Sequence, residues 1–238
     1  MNGKRLNHRA AHWARLGLVL GALAGCATGP DAHPRDPLEP FNRGVYQFNE
    51  AVDRTVLKPV AEGYVAAVPS PVRTAVANFF GNLRDLWSAV NAALQARPQP
   101  AVENAMRFGV NTLLGFGGVI DLATEMGIPR TTLDFGHTLG RWGVPSGPYL
   151  VLPLLGPSSV REAVALPIDR RADPVSQGID DVATRNTAQT LRLVDTRANL
   201  LRAGDLLEQA ALDKYGFTRD AYLARRQSQV EAARGEED

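Results

Sequence analysis

Along most of this chain the large apolar residues recur at steps of three and four, the spacing that gathers them on one side of an α-helix. Over residues 71–96 the repeat runs Val72, Val76, Phe79, Phe80, Leu83, Leu86, Trp87, Val90 and Leu94, while Arg73, Asn78, Asn82, Arg84, Asn91 and Gln95 fall mostly on the other side. That pattern predicts a long amphipathic helix with a broad apolar face. A second repeat, Phe41, Val45, Phe48 and Val52, starts just after Pro40, a residue well suited to a first helical turn. Pro100 opens a third helix that reaches about Leu114, where the glycines at 115, 117 and 118 end or kink it. Ser159, three residues before Glu162, fits a capping box for a further helix, which Pro167 ends or kinks. Residues 178–233 are again helical in pattern but far more charged, with Arg185, Arg192, Asp195, Arg197, Arg202, Asp205 and Arg219 among them.

The periodicity breaks in the middle. Gly136, Gly140, Gly143, Gly147 and Gly156 interleave there with Pro145, Pro148, Pro153 and Pro157, which leaves no room for a long regular helix. Residues 149–152 are either a short strand or, given the flanking prolines, an extended irregular segment. The expected fold class is all-α, with one glycine/proline-rich irregular segment.

The first 25 residues form a processing signal. Lys4, Arg5, Arg9 and Arg15 precede an apolar run over residues 16–24, about half the ~20 residues a membrane-spanning helix needs. The run ends Leu23-Ala24-Gly25-Cys26, which resembles the lipobox of bacterial lipoproteins. Cys26 is therefore the expected lipidation site, and as the sole cysteine it leaves no partner for an internal disulfide. Several acyl chains at about 0.8 kcal/mol per buried CH₂ make a stable anchor. Ala27 follows, where an Asp would resemble an inner-membrane retention signal, so the outer membrane is favoured. The expected organisation is signal peptide 1–25, lipidated tether 26–35, a single helical domain 36–233 and a tail 234–238.

Charge and composition then narrow the function. The chain holds 26 basic and 25 acidic residues, but four of the basic ones leave with the signal, so the mature protein is mildly acidic. It has no electrostatic reason to bind nucleic acid. A 45% apolar content supports a real core. Of four histidines only His33 and His137 survive processing, too few and too distant for a zinc site. The run from Gly143 to Gly147 has the wrong spacing for a serine-hydrolase elbow, and the glycines at 115–118 lack the context of a dinucleotide loop. Asp134 lies three residues before His137, an acid/base pair or, as the spacing favours, an N-cap and local hydrogen bond. Carboxylate-only hydrolysis by Asp134 with Asp121 or Glu125 has no positive support. No enzyme activity, metal or cofactor is expected.

One resemblance goes further. The run DPLEPFNR at residues 36–43, then Phe48-Asn49, Leu57-Lys58-Pro59-Val60-Ala61 and Asn78-Phe79-Phe80-Gly81-Asn82-Leu83, resembles the MlaA (VacJ) family of outer-membrane lipoproteins. The likeness continues through Arg107-Phe108, Asn111-Thr112 and Asp121 to Asp134-Phe135-Gly136, Thr138-Leu139-Gly140, Trp142-Gly143-Val144 and Gly147-Pro148-Tyr149-Leu150-Val151-Leu152-Pro153. Two positions depart from the family pattern: His137 stands in place of Gln and Asp85 in place of Pro. The resemblance implies a ring of amphipathic helices lying in the membrane around an amphipathic channel. It also implies removal of phospholipid from the outer leaflet to a periplasmic lipid-binding carrier, in company with a trimeric outer-membrane porin. Phe41, Asn42, Asn78, Asp134 and Gly136 are the family-motif candidates: Phe41 against lipid or core, Asn42 pairing backbone at the helix start. Gly140, Gly143, Gly147 and Pro148 are candidates for a gate or channel-lining loop, with tight helix-packing turns as the alternative. A porin-associated scaffold that moves no lipid, and an envelope lipid or cell-wall hydrolase, remain as other classes.

Cys26→Ser should abolish acylation, visible as loss of the acyl mass in the purified protein, and should impair sorting more than intrinsic bilayer affinity, checked by flotation of the purified variant with vesicles.

Overall fold

The computed structural model describes residues 33–235. Cys26, the signal segment and most of the tether lie outside the described residues. Two helices open the body: α1 (Glu39–Val52) runs through a π-helical turn at Asp53–Leu57 into α2 (Lys58–Ala67). Pro59, which has no N–H to give the preceding turn, accounts for the local change of register. The long helices α3 (Ser70–Leu94) and α4 (Pro98–Leu113) pack as a hairpin. Two short helices follow, α5 (Leu122–Glu125) and α6 (Phe135–Arg141).

Residues 149–152 are a strand. β1 (Tyr149–Leu152) pairs antiparallel with β2 (Gly156–Ser159), Tyr149 opposite Ser159 and Leu152 opposite Gly156. The flanking prolines do not prevent this, because the hairpin is only two strands wide and its other edge is satisfied by side chains. Asn42 accepts from Val151 N–H at 2.9 Å and donates to Tyr149 C=O at 3.1 Å. Two helical turns on, Asn49 accepts from Leu154 N–H at 2.7 Å and donates to Leu152 C=O at 3.0 Å. The expectation that Asn42 pairs backbone is thus corrected in its partner, which is the strand edge rather than the start of α1. Phe41 and Phe48, each one residue before an asparagine of this clamp, are exposed.

After the hairpin come α7 (Val160–Ala172), α8 (Pro174–Gly178), α9 (Val182–Asn199), α10 (Leu201–Ala210) and α11 (Lys214–Gly235). The single charged helical stretch expected over 178–233 is therefore three helices, broken at Leu200 and around Ala211. Pro167 sits inside α7 without ending it. The capping box expected at Ser159 is also different in detail: its hydroxyl meets the Glu162 carboxylate and no side-chain cap of the backbone forms. Arg161, 2.7 Å from the same carboxylate, holds Glu162 in that position.

The interior is polar to an unusual degree. On α3 the residues at 82, 85, 88 and 91, spaced by three, are buried Asn, Asp, Ser and Asn, whereas Leu86, Val90 and Leu94 are exposed. At the end of α4 and just after it, Leu113 and Phe116 are 82% and 80% exposed. Among the described residues no helix is long and apolar enough to cross a membrane. The compact apolar cluster lies elsewhere, where Tyr149, Val151, Tyr215 and Leu223 pack with Val45, Tyr46 and Tyr222. Asp36, at the start of the body, is locked to it through the Tyr215 hydroxyl and Arg219.

At the centre of the α3–α4 hairpin, Arg107 is 1% exposed. Its Nη2 meets both oxygens of Asp121 at 2.8 Å, its Nη1 donates to Ile128 C=O at 2.6 Å and its Nε to Asp85 at 3.3 Å. Asp85 also takes Arg130, so the Asp that departs from the family pattern is the shared acceptor of two guanidiniums. Asn111 completes the cluster, donating to Asp121 at 2.9 Å and accepting from Ala123 N–H at 2.9 Å. Gly118 closes over it with φ +92°, and a Cβ there would come within 2.5 Å of the Asn82 amide, so only glycine fits. Burial pushes the Asp121 carboxyl up, but bonds from Thr124 and Asn111 and the Arg107 charge outweigh it and hold the group at about 2.

Arg107→Ala should destabilise the protein by about 3–5 kcal/mol, because it strands buried carboxylates, whereas Arg130→Ala, a third exposed, should cost less; denaturant unfolding in detergent measures both. Since the Asp121 value lies below its ordinary 3.8, its contribution is fully present above about pH 4 and is lost as pH falls through about 2. Asp121→Asn should flatten that acid limb of the unfolding midpoint.

Candidate functional site

The polar seam of α3 continues from the Arg107 cluster toward α6. Ser88 exchanges hydrogen bonds with the backbone of Leu133 at 3.1 and 3.3 Å. Thr138 donates to Asn91 at 2.7 Å and accepts from Gln95 at 3.1 Å. Asp134 caps α6, accepting from His137 N–H at 2.9 Å, while His137 Nδ1 accepts from Asp134 N–H at 3.2 Å. This is a reciprocal capping box in which a histidine reaches back. Arg226 of α11 binds Asp134 at 2.7 Å. Burial acts to raise the Asp134 carboxyl, but His137 and Arg226 more than offset it and hold it well below the usual carboxylate range. Asp134 is thus held as an anion between the His137 N–H and Arg226, and Asp121 is bonded to Arg107. Among the described residues no cluster of His, Cys, Asp and Glu suits a metal ion.

Two cavities flank this seam. The larger, about 820 Å³, lies between α3, α7 and α9, with Phe80, Leu83, Trp87 and Leu166 on apolar walls and Arg84, Arg170, Arg185 and Arg192 on polar ones. The smaller, about 390 Å³, is bounded by α6, the β-hairpin, α7 and α11 and includes Asp134, Gly136, His137 and Arg226. Leu155, Leu166 and Asp169 line both. Asp169 accepts from Trp87 Nε1 at 2.8 Å and Phe135 N–H at 2.9 Å, which ties α3 to the first residue of α6 across the shared wall.

The residues singled out from sequence are dispersed around these cavities. Asp134 and Gly136 line the smaller one. Gly140 is buried within α6, where a Cβ would come within 2.8 Å of Arg161 Nη1 and Val230 Cγ2, a position shaped by close packing. Gly143 and Gly147, at φ +94° and +68°, and Pro148 are exposed in the connection from α6 to β1. Asn78 donates to Val119 C=O at 3.0 Å and fastens the loop after α4. The cluster of Asp85, Arg107 and Arg130, and the four cavity arginines, are absent from that selection. The spacing by three of Asn82, Asp85, Ser88 and Asn91 on one helix face is the signal that marks the buried polar side.

Residues 34–229 match the MlaA lipoprotein family. The intermembrane phospholipid transport system lipoproteins MlaA of Shigella flexneri and Escherichia coli (strain K12) are each 38% identical to this chain, covering 87% of it and 85% of their own length. The Haemophilus influenzae protein of the same name is 34% identical over 88% of the chain and 86% of its own length. A solved structure, described as the structural basis for maintenance of bacterial outer membrane lipid asymmetry, superposes with a TM-score of 0.68 at 34% identity, covering 82% of this chain and 98% of that one. Agreement of the family match, the relatives and the fold shows that this chain belongs to the MlaA lipoprotein family.

Proposed function

We propose that this protein is an outer-membrane lipoprotein that takes phospholipid out of the outer leaflet and delivers it to a periplasmic lipid-binding carrier, preserving the asymmetry of that membrane. The observation that carries this reading is the inverted body: hydrogen-bonded polar side chains inside, large apolar side chains such as Leu113, Phe116 and Val164 outside, and a cavity with both characters. An apolar exterior without a spanning helix suits a body lying in the bilayer, where an apolar face sinks roughly 5–10 Å. A phospholipid needs a polar path for its head beside an apolar one for its tails, and the larger cavity offers both, with Arg84, Arg170, Arg185 and Arg192 beside Phe80, Leu83, Trp87 and Leu166. Lipid on Cys26 delivers the body to the membrane. A trimeric porin is the proposed neighbour that holds it there. The 143–148 connection is the proposed gate, since it leaves α6 on exposed glycines at positive φ and its helix is bonded to the cavity wall through Asp169.

Purified protein reconstituted in donor vesicles should move labelled phospholipid to a soluble carrier without generating lysophospholipid or fatty acid. A stable porin complex with no lipid movement would identify a scaffold instead, and product formation without a carrier would identify a hydrolase. In cells lacking the protein, surface-exposed phospholipid and detergent sensitivity should rise. Gly143→Val should alter both at unchanged protein abundance, and wild-type barrier function in that variant would remove the gate from the reading.

A further inference from the structure

The charged side of the larger cavity holds four arginines against two carboxylates, Asp169 and Asp173. Both carboxylates are already committed. Asp169 accepts from Trp87 and the α6 backbone. Asp173 pairs with both terminal nitrogens of Arg192 at 2.8 and 3.1 Å and takes the Ser176 hydroxyl at 2.7 Å. Arg185 donates to Ile179 C=O at 3.1 Å. Among the described residues, Arg84 and Arg170 make neither a hydrogen bond nor an ion pair. They project from different helices, α3 and α7, into one space. Each guanidinium presents a fork of donors matched to phosphate or carboxylate geometry. Although Arg84 reaches solvent through the cavity, the surrounding protein and the neighbouring Arg192 and Arg130 charges push its pKa down. The region therefore has a local positive potential that an anion relieves.

We propose that Arg84 and Arg170 are the recognition site for the phosphodiester of a lipid headgroup, with the acyl chains along Phe80, Leu83, Trp87 and Leu166, and that the site favours net-anionic lipids over zwitterionic ones. The assignment rests on the phospholipid-transport reading and specifies its cargo. A free phosphate ion satisfies the guanidiniums but leaves the adjacent apolar wall in water, whereas a lipid satisfies both. The volume of about 820 Å³ lies in the range of small-ligand sites, roughly 300–1,000 Å³. A zwitterionic head brings an ammonium into the same group of guanidiniums, Arg84 and Arg170 above all because Asp173 already pairs with Arg192, and that repulsion offsets part of the gain at its phosphate. A second anionic or neutral polar head group meets no such penalty.

The test is lipid retention by the full-length detergent-purified protein after exposure to vesicles of equal phosphatidylglycerol and phosphatidylethanolamine, read by native mass spectrometry. Wild type should retain phosphatidylglycerol preferentially. The Arg84→Gln/Arg170→Gln double variant should retain it at least about tenfold less, since each of the two charge-assisted bonds lost is worth about a factor of ten, with phosphatidylethanolamine changing far less. Because, among the described residues, neither side chain makes a hydrogen bond or ion pair, the variant's unfolding midpoint should stay near the wild-type value, and Arg84→Lys should restore part of the selectivity. Equal retention of both lipids by wild type, or an unchanged preference in the double variant, overturns the assignment while leaving transport intact. Displacement of bound lipid by millimolar inorganic phosphate would make the site a free-anion site and overturn it as well. A wild-type protein that retains no lipid at all sinks the transport reading together with this one.

Discussion

Arg107 enters the interior with each of its three guanidinium nitrogens bonded, and the arrangement of α3, α4 and the loop after them follows from keeping it so. A buried charge deprived of partners costs several kcal/mol, far more than a typical apolar contact is worth. Asp85, Asp121 and Ile128 reach that side chain from three different segments, so none of the three can slide or rotate without stranding it. Apolar packing tolerates such shifts more readily because dispersion has no preferred direction. In this protein direction comes from hydrogen bonds, and they set the register of the helical hairpin.

The same constraint accounts for the inversion of the fold. A helix that spends its polar face on the interior has only its apolar face left for the outside, as Leu86, Val90 and Leu94 demonstrate on α3. In water that exterior is unfavourable over its whole area. In a bilayer such an apolar face would be at home and unpaired polar groups would be costly, which fits the proposed membrane setting. The carboxamides are used sparingly and repeatedly: Asn42 and Asn49 seal the edge of β1 much as a neighbouring strand would, which lets a two-stranded hairpin persist in a helical protein. Some polar capacity is left over, for Asn82 Oδ1, Gln95 Oε1 and Asn104 Oδ1 accept no hydrogen bond.

Around this frame the two cavities share a wall, and Asp169 belongs to it. Its bonds to Trp87 and to the first N–H of α6 join the arginine-lined cavity to the element from which the glycine-rich connection departs. Asp134, His137 and Arg226 then tie the same short helix to α11. Short polar contacts thus bond α6 to the walls of both cavities.

Periodicity alone determined the helical character of the chain, the positions of α1, α3 and α4 to within two or three residues, and the irregular middle, because those features depend on local spacing and on proline and glycine chemistry. It also separated the polar from the apolar side of α3. The ordered motifs from residue 36 to beyond residue 150 were enough to recognise the family. Which side of α3 faces inward was decided only by tertiary structure, since an amphipathic helix has the same pattern whether its surroundings are water or lipid. So was the pairing of Arg107 with Asp85 and Asp121, partners 22 and 14 residues away, and the clamp of Asn42 on a strand more than 100 residues distant. The meeting of Arg84 and Arg170 in one cavity, with no hydrogen bond or ion pair to either among the described residues, belongs to the same class: spacing along a helix cannot tell which distant charges will converge, because that depends on how whole helices cross.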